Sequence, residues 1–313
     1  MPRIITYAEA LREAQDYCLS AYPETYLMGL GVPDPKGIFG STLALQEKYG
    51  DKRVFDVPLS ENALTGVAIG SAITGSRPIL THQRVEFALV SIEQIVNQAA
   101  KWHYMFGGRM KVPLVIRMII GRGWGQGPQH SQSLQALFAH IPGLKVIMPA
   151  TPHDAKGMLI SAIEDENPVI CLEHRWLYNL EEDVPEGDYR VPIGTAKRLR
   201  EGNDITIVSL SYMTTEALHA WKILEREGIS CDILDLRTVR PIDWKLVHSS
   251  VQKTGRLLAL DTEPITGSIS GEIIANVSIE CHDILKQAPQ RIALPDFPTP
   301  TSSALTNGYY KRA

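Results

Sequence analysis

Short apolar runs alternate along this chain with longer segments whose apolar residues recur at helical period, which favours parallel sheets joined by crossover helices over all-β or all-α plans. Ile79-Leu80-Thr81-His82 and Leu114-Val115-Ile116-Arg117-Met118-Ile119 read as buried strands. Between them, Ser91 to Ala100 places Ile92, Ile95, Val96 and Ala99 on one face, the i, i+3, i+4, i+7 pattern of a crossover helix. Lys145-Val146-Ile147-Met148 reads as a further strand. After it, Thr151-Pro152-His153-Asp154 supplies a capping hydroxyl, a Pro at the first helical position and an acid for the helix dipole, so the sequence predicts a helix from Pro152 to about Glu164.

A polar segment from Leu180 to Gly187, rich in Glu and Asp and containing Pro185, predicts a linker. A second α/β unit follows, with strands at Asp204 to Ser209 and Cys231 to Leu236, and between them a helix from Thr215 to Glu227 stopped by Gly228. The 313 residues leave room for two domains, placed at 1–185 and 190–313.

Composition narrows the class of function. Lys and Arg total 31 against 35 Asp and Glu, a formal charge of -4 that speaks against a nucleic-acid binder. No apolar run approaches the roughly 20 residues needed to span a bilayer. The opening Met1-Pro2-Arg3-Ile4-Ile5-Thr6-Tyr7-Ala8-Glu9 meets an acid early and reads as neither a signal nor a transit peptide. Cys18, Cys171, Cys231 and Cys281 are widely spaced, which predicts neither a disulfide framework nor a zinc site, and a cytoplasmic location is expected.

Two segments could carry chemistry. In Asp56-Val57-Pro58-Leu59-Ser60-Glu61-Asn62-Ala63 a carboxylate stands between a strand-like stretch and a helix rich in small residues; taken alone, Glu61 is an acid complementing a helix dipole. The second is Gly121-Arg122-Gly123-Trp124-Gly125-Gln126-Gly127-Pro128-Gln129-His130-Ser131-Gln132, a glycine-rich loop after an apolar strand, where α/β proteins usually bind ligands. Its spacing is neither a dinucleotide fingerprint nor a phosphate loop.

Further motifs stand in a fixed order with these: Arg53-Val54-Phe55-Asp56-Val57-Pro58-Leu59-Ser60-Glu61, Gln94-Ile95-Val96-Asn97-Gln98-Ala99-Ala100-Lys101, His130-Ser131-Gln132-Ser133, Pro142-Gly143-Leu144-Lys145-Val146, Asp154-Ala155-Lys156-Gly157 and Leu234-Asp235-Leu236-Arg237-Thr238-Val239-Arg240-Pro241. Together they resemble the β subunit of thiamine-diphosphate-dependent 2-oxo acid dehydrogenases of the pyruvate, branched-chain or acetoin type, in the wider transketolase-like group. The resemblance covers nearly the whole chain. It implies two α/β domains with mostly parallel sheets flanked by helices, a pyrimidine-binding domain and a transketolase C-terminal-type domain.

For the residues, the resemblance implies that Glu61 hydrogen-bonds the cofactor's aminopyrimidine and promotes removal of the thiazolium C2 proton, a task needing a carboxylate within reach. Leu59 and Phe87 are expected to contact the cofactor, Phe87 by packing on the pyrimidine. His130 matches an active-site histidine that handles protons or orients the acyl acceptor. Backbone groups of Ala162, Asp165 and Asn167 match a potassium-binding turn.

Relatives hold Mg²⁺ and the diphosphate through a Gly-Asp-Gly start that this sequence lacks. The resemblance therefore implies an α subunit carrying that half of the site, in an α2β2 assembly, with a lipoyl acyltransferase as a further partner. Departures cluster near the expected site. Gly29-Leu30-Gly31-Val32 lacks the family's acidic pair, Thr81-His82-Gln83-Arg84 puts a basic pair where the family has an acid and an aromatic, and Arg122, Trp124 and Gln126 decorate the glycine loop. His82, Arg84 and Gln129 are accordingly expected to recognise substrate, with an anionic or polyhydroxylated molecule in mind for the basic pair; a salt bridge for Arg84 is the alternative. The leading expectation is decarboxylation of a 2-oxo acid with acyl transfer to a lipoyl carrier. Transfer of an acyl or ketol unit to an aldehyde, ketone or sugar, and a non-catalytic assembly role, are the alternatives.

Overall fold

The computed structural model describes residues 2–313, which divide into two compact units. Unit 1 comprises residues up to Ile120 together with Leu137–Ile193, and unit 2 comprises Gly121–Ala136 with Gly194–Ala313. The glycine-rich loop thus clusters with the second unit, whereas the sequence places it in the first domain. No helix among the described residues is long and apolar enough to cross a membrane.

In unit 1, β1 (Ile4–Thr6) leads into a helix over Tyr7–Ala21, followed by β2 (Thr25–Met28), β3 (Val54–Phe55), a helix over Glu61–Ile73, β4 (Arg77–His82) and β5 (Val115–Ile120). Then come β6 (Lys145–Ile147), a helix over Pro152–Glu164, β7 (Val169–His174) and β8 (Glu181–Asp183). Within this unit the main sheet runs β6-β7-β5-β4-β2-β3, all parallel. Each residue of β5 and β7 is buried, as expected of strands covered by helices on both faces.

Local chemistry accounts for the helix ends. Thr151 Oγ1 accepts from Asp154 N–H at 3.2 Å with Pro152 in the first turn, and Thr6 and Glu9 form a reciprocal capping box. The segment expected to be one crossover helix instead winds as a π-helix over Gln94–Ala99 before an α-helix at Ala100–Met105. Part of the expected linker is ordered as β8, paired antiparallel with β1.

The unit-1 core encloses a polar network. Arg117, on β5, is wholly buried; its Nε and Nη2 donate to the two Glu173 oxygens at 2.6 and 2.9 Å, and it also donates to Gln15 Oε1 and Ser41 Oγ. Tyr178 Oη donates to Glu173 Oε2 at 2.5 Å, so both oxygens of the buried carboxylate accept hydrogen bonds.

Unit 2 contains β9 (Lys197–Arg200), β10 (Ile205–Ser209), a helix over Tyr212–Arg226, β11 (Cys231–Asp235), the short β12 (Thr238–Arg240), a helix over Trp244–Thr254, β13 (Leu257–Pro264), a helix over Ile269–Glu280 and β14 (Gln290–Leu294). Its sheet runs β14-β13-β10-β11-β9, parallel except for β9. Ile207, Met213, Ala217, Cys231, Ile233 and Leu260 form a core between the sheet and the Tyr212–Arg226 helix.

Asp261 and Glu263, at the end of β13, are both buried. Burial and the neighbouring Asp261 carboxyl push Glu263 up to about 9 from 4.5. The folded state therefore keeps a proton that the unfolded chain gives up near 4.5, and this group's stabilisation is present at low pH and lost as pH rises towards 9. The thermal midpoint is expected to fall across that window, and Glu263→Gln to flatten the slope. Equal slopes for wild type and variant would contradict the assignment.

Candidate active site

The unit-1 strand order adds β3 on one side of β2 and β4 on the other, so the direction of winding reverses between β2 and β4. In open α/β sheets ligands bind outside the carboxyl ends of the strands at such a reversal. A cleft of about 360 Å³, its open mouth included, lies there, lined by Gly29, Leu30, Val57, Pro58, Glu61, Leu64, Leu80, Thr81, His82, Gln83 and Phe87.

Its floor is the loop after β2 laid against the end of β4. A Cβ on Gly29 would stand 2.3 Å from the Thr81 carbonyl oxygen, so only glycine permits this approach. Gly31 has φ of 75°, and a Cβ there would meet Gln83 Nε2 at 2.6 Å. Asp56 Oδ1 accepts from the Gly31 and Val57 N–H groups, each at 2.9 Å, and Gln83 Nε2 donates to Leu30 O at 3.1 Å. These bonds join the loops after β2, β3 and β4. Gly29→Ala is expected to lower stability by about 1–3 kcal/mol, because a backbone carbonyl cannot move aside as a side chain can; an unchanged thermal midpoint would show that the loop has room.

Glu61 is the first residue of its 13-residue helix and is partly exposed at the cleft. The helix dipole favours a carboxylate here, and no hydrogen bond among the described residues engages its oxygens. The small residues that follow permit close packing at one point: a Cβ on Gly66 would lie 3.3 Å from Gln94 Oε1, whereas nothing stands within 4 Å of one on Gly70. Phe87 is partly buried in the turn Val85–Ser91 after β4 and offers a ring to the cleft. His82, the last residue of β4, is 6% exposed, and its buried Nε2 has no hydrogen-bond partner. Burial pushes it down to about 4, so the imidazole is neutral at physiological pH.

The structure thus brings Glu61, Phe87 and His82 together on one cleft, and the other expected residues are not among those that line it. Leu59 is 75% exposed and does not line the cleft. Arg84 is buried outside the lining, and its charge, after burial itself, helps push His174 down to about 3. Of the expected basic pair, His82 thus lines the cleft as a neutral imidazole, while Arg84 is buried and does not line it. Gln129 and His130 lie exposed in unit 2, His130 closing the turn Pro128–His130. Arg122 braces its own loop, with Nε donating to Gln126 O at 3.1 Å and Nη2 to Thr301 O at 2.8 Å, while Trp124 is 81% exposed.

Residues 3–181 match the transketolase pyrimidine-binding domain, and residues 194–310 match the transketolase C-terminal domain. The chain belongs to the transketolase family. Among curated relatives it is 42% identical to the β subunit of an acetoin:2,6-dichlorophenolindophenol oxidoreductase from Cupriavidus necator, covering all of this chain and 95% of that one. It is 39% identical to a 2-oxoisovalerate dehydrogenase β subunit from Bacillus subtilis, over 94% and 90%, and 39% to a pyruvate dehydrogenase E1 β subunit from Rickettsia felis, over 95% and 91%. A solved split-gene transketolase, captured as an inactive β4 tetramer, superposes with TM-score 0.79 at 25% identity, over 97% of this chain and 93% of that one. This places the chain among the β subunits of the thiamine-diphosphate-dependent 2-oxo acid dehydrogenases, with the two-domain α/β architecture of transketolase.

The turn at Ala162, Asp165 and Asn167, expected to hold potassium, is bonded by the protein's own groups. The Ala162 carbonyl accepts from Asp165 N–H at 3.3 Å, and the Arg77 guanidinium donates to the Ile163 and Asp165 carbonyls at 3.0 and 3.3 Å. Asn167 N–H is turned to Asp165 Oδ1, and the Lys145 ammonium pairs with the same carboxyl group. Of the expected backbone groups, the Asp165 carbonyl is thus already taken by a guanidinium. The sequence marks Gly29-Leu30-Gly31-Val32 only as a departure from the family pattern; that it lies against Thr81 and is clamped by Asp56 is seen only in the fold.

Proposed function

We propose that the cleft receives the aminopyrimidine half of thiamine diphosphate and that the chain acts as the β subunit of a two-component enzyme on 2-oxo compounds. The observation that carries this is the convergence of Glu61, Phe87 and a floor that only glycine permits at the winding reversal of the sheet. The donor set fits the group: a carboxylate for a ring nitrogen, an aromatic face for the ring, and an orphaned imidazole nitrogen nearby. When bound, thiamine diphosphate supplies the electron sink for cleaving the bond beside a carbonyl. Glu61 holds and moves the proton at the pyrimidine nitrogen, Phe87 orients the ring, and His82 offers a neutral hydrogen-bonding group. His130 is assigned proton handling at the acyl acceptor.

The diphosphate and its Mg²⁺ are assigned to an α partner, because the sequence lacks the Gly-Asp-Gly start used for them by relatives. The inactive β4 state of the split-gene transketolase supports the same division. An α2β2 enzyme follows, in which the chain alone is inactive. Potassium is not part of the proposal. The four cysteines are free and buried, which supports a reducing cytoplasm. The domain division is assigned at 185 to 190.

Acyl transfer to a lipoyl carrier is the leading outcome. A second reading, ketol or acyl transfer to a carbonyl acceptor, is favoured by the neutral His82 and the acid-free Gly29–Gly31 floor, and by the acetoin oxidoreductase and transketolase relatives. Turnover of the co-expressed enzyme with a lipoyl domain, against turnover with aldehydes or keto-sugars, separates them. Activity with neither acceptor across a donor panel would refute both.

A further inference from the structure

Unit 2 holds a buried acidic pair that the proposed chemistry leaves unused. Asp261 is 1% exposed and Glu263 4%. Asp261 Oδ1 accepts from Gln135 Nε2 and from its neighbour Thr262 N–H, both at 2.8 Å, and its Oδ2 accepts from Ser270 N–H at 2.8 Å. Glu263 Oε1 accepts from Ile269 N–H at 2.8 Å, and Oε2 from Ala136 N–H at 3.1 Å. Gln135 Nε2 also donates to Thr262 Oγ1 at 3.0 Å.

Gln135 and Ala136 open the short helix Gln135–Ala139, which follows the glycine-rich segment a few residues beyond His130. Two carboxyls buried so close together are a poor way to gain stability, since apolar residues of similar volume would fill the space at least as well. What they supply is direction, because each oxygen accepts only from a donor placed in line with it. One face of the pair grips the start of the Ile269–Glu280 helix and the other grips the start of the Gln135–Ala139 helix, at which the loop ends.

The far end of the loop is fastened as well. Arg122 Nη2 donates to Thr301 O, and Gly127 runs so close beneath Thr301 that a Cβ would stand 2.2 Å from Thr301 Oγ1. Gly121 N–H closes the base of the loop on Gln132 O at 2.9 Å. The exposed residues Trp124, Gln129 and His130 sit between these two anchors.

We propose that Asp261 and Glu263 are positioning residues which, through Gln135 and Ala136, fix the loop that presents His130. The inference rests on the assignment of His130 to the reaction, and the test separates the two. Gln135→Met removes the side-chain tie from the loop side and leaves the acidic pair with its helix partners. In the enzyme co-expressed with its α partner, kcat is expected to fall on the order of ten- to hundredfold, because a small misplacement of a reacting group has that effect. Amide exchange should quicken across residues 121–136 and stay unchanged across β10 and β11. On a His130→Ala background the same substitution should lower kcat by no more than about twofold further, since both changes act at one group.

Unchanged exchange across the loop would overturn the proposal, and so would a loss that multiplies in full on the His130→Ala background. Full turnover by His130→Ala alone would instead refute the role of His130, leaving the tether to be decided by exchange. Glu263→Gln, which keeps shape and volume, serves as the second variant should Gln135→Met fail to fold.

Discussion

Glu61→Gln in the assembled enzyme is expected to lower kcat by about 10²–10⁴-fold, the range for losing a positioned acid–base group. The amide keeps the size of the side chain and its place at the helix N-terminus, so folding and assembly should be preserved. It cannot take up and return a proton as the carboxylate does. Cofactor affinity should fall much less than kcat, because Phe87 and the Gly29–Gly31 floor remain. Steady-state turnover and a cofactor titration of the same preparation check both halves of the expectation. Near-normal turnover by Glu61→Gln would revive the view of the chain as a non-catalytic assembly subunit.

The largest expected effect on stability lies away from the cleft. Glu173→Ala leaves the Arg117 guanidinium wholly buried without its bidentate partner, and breaking a buried pair in this way costs about 3–5 kcal/mol. Burial opposes the charge on Arg117 and the Glu173 carboxylate restores it, holding the guanidinium well above its ordinary range. Without that carboxylate, Gln15 Oε1 and Ser41 Oγ offer only neutral acceptors. Denaturant unfolding checks the loss, and a destabilisation below about 1 kcal/mol would mean that water enters to solvate Arg117.

These two residues also show how unevenly the molecule can be read from its sequence. The helix at Pro152–Glu164 is legible because Thr151, Pro152 and Asp154 mark its start chemically, and the strands β5 and β7 because unbroken apolar runs suit parallel strands buried on both faces. The pairing of β8 with β1 is not legible: Glu181-Glu182-Asp183 has no apolar alternation, and what orders it is backbone bonding to a segment distant in sequence. The grouping of Gly121–Ala136 with unit 2 escapes for a related reason, since it depends on Gln135 meeting Asp261 across a long stretch of chain.

At the site, Glu61 and Phe87 are found through motif resemblance, and the fold sets them on one cleft. Leu59 stands two residues from Glu61 in sequence, but the chain bends there before the helix begins and its side chain is exposed. His82 and Arg84 look like a cationic pair in sequence; burial neutralises the first, and the turn after β4 carries the second away from the cleft. Asp261 and Glu263 look like ordinary strand-end acids, and only the fold shows them buried between two helix starts.

In the proposed enzyme this chain contributes the proton-handling half of a thiamine-diphosphate site and is active only with an α partner. The most direct measurement is CO2 release from a panel of 2-oxo acids, with thiamine diphosphate and Mg²⁺, by the chain alone, by an α-type partner chain alone, and by the two co-expressed. Turnover confined to the co-expressed pair, and abolished by Glu61→Ala, is the expected result. Turnover by the isolated chain, or by a pair carrying Glu61→Ala, would contradict it.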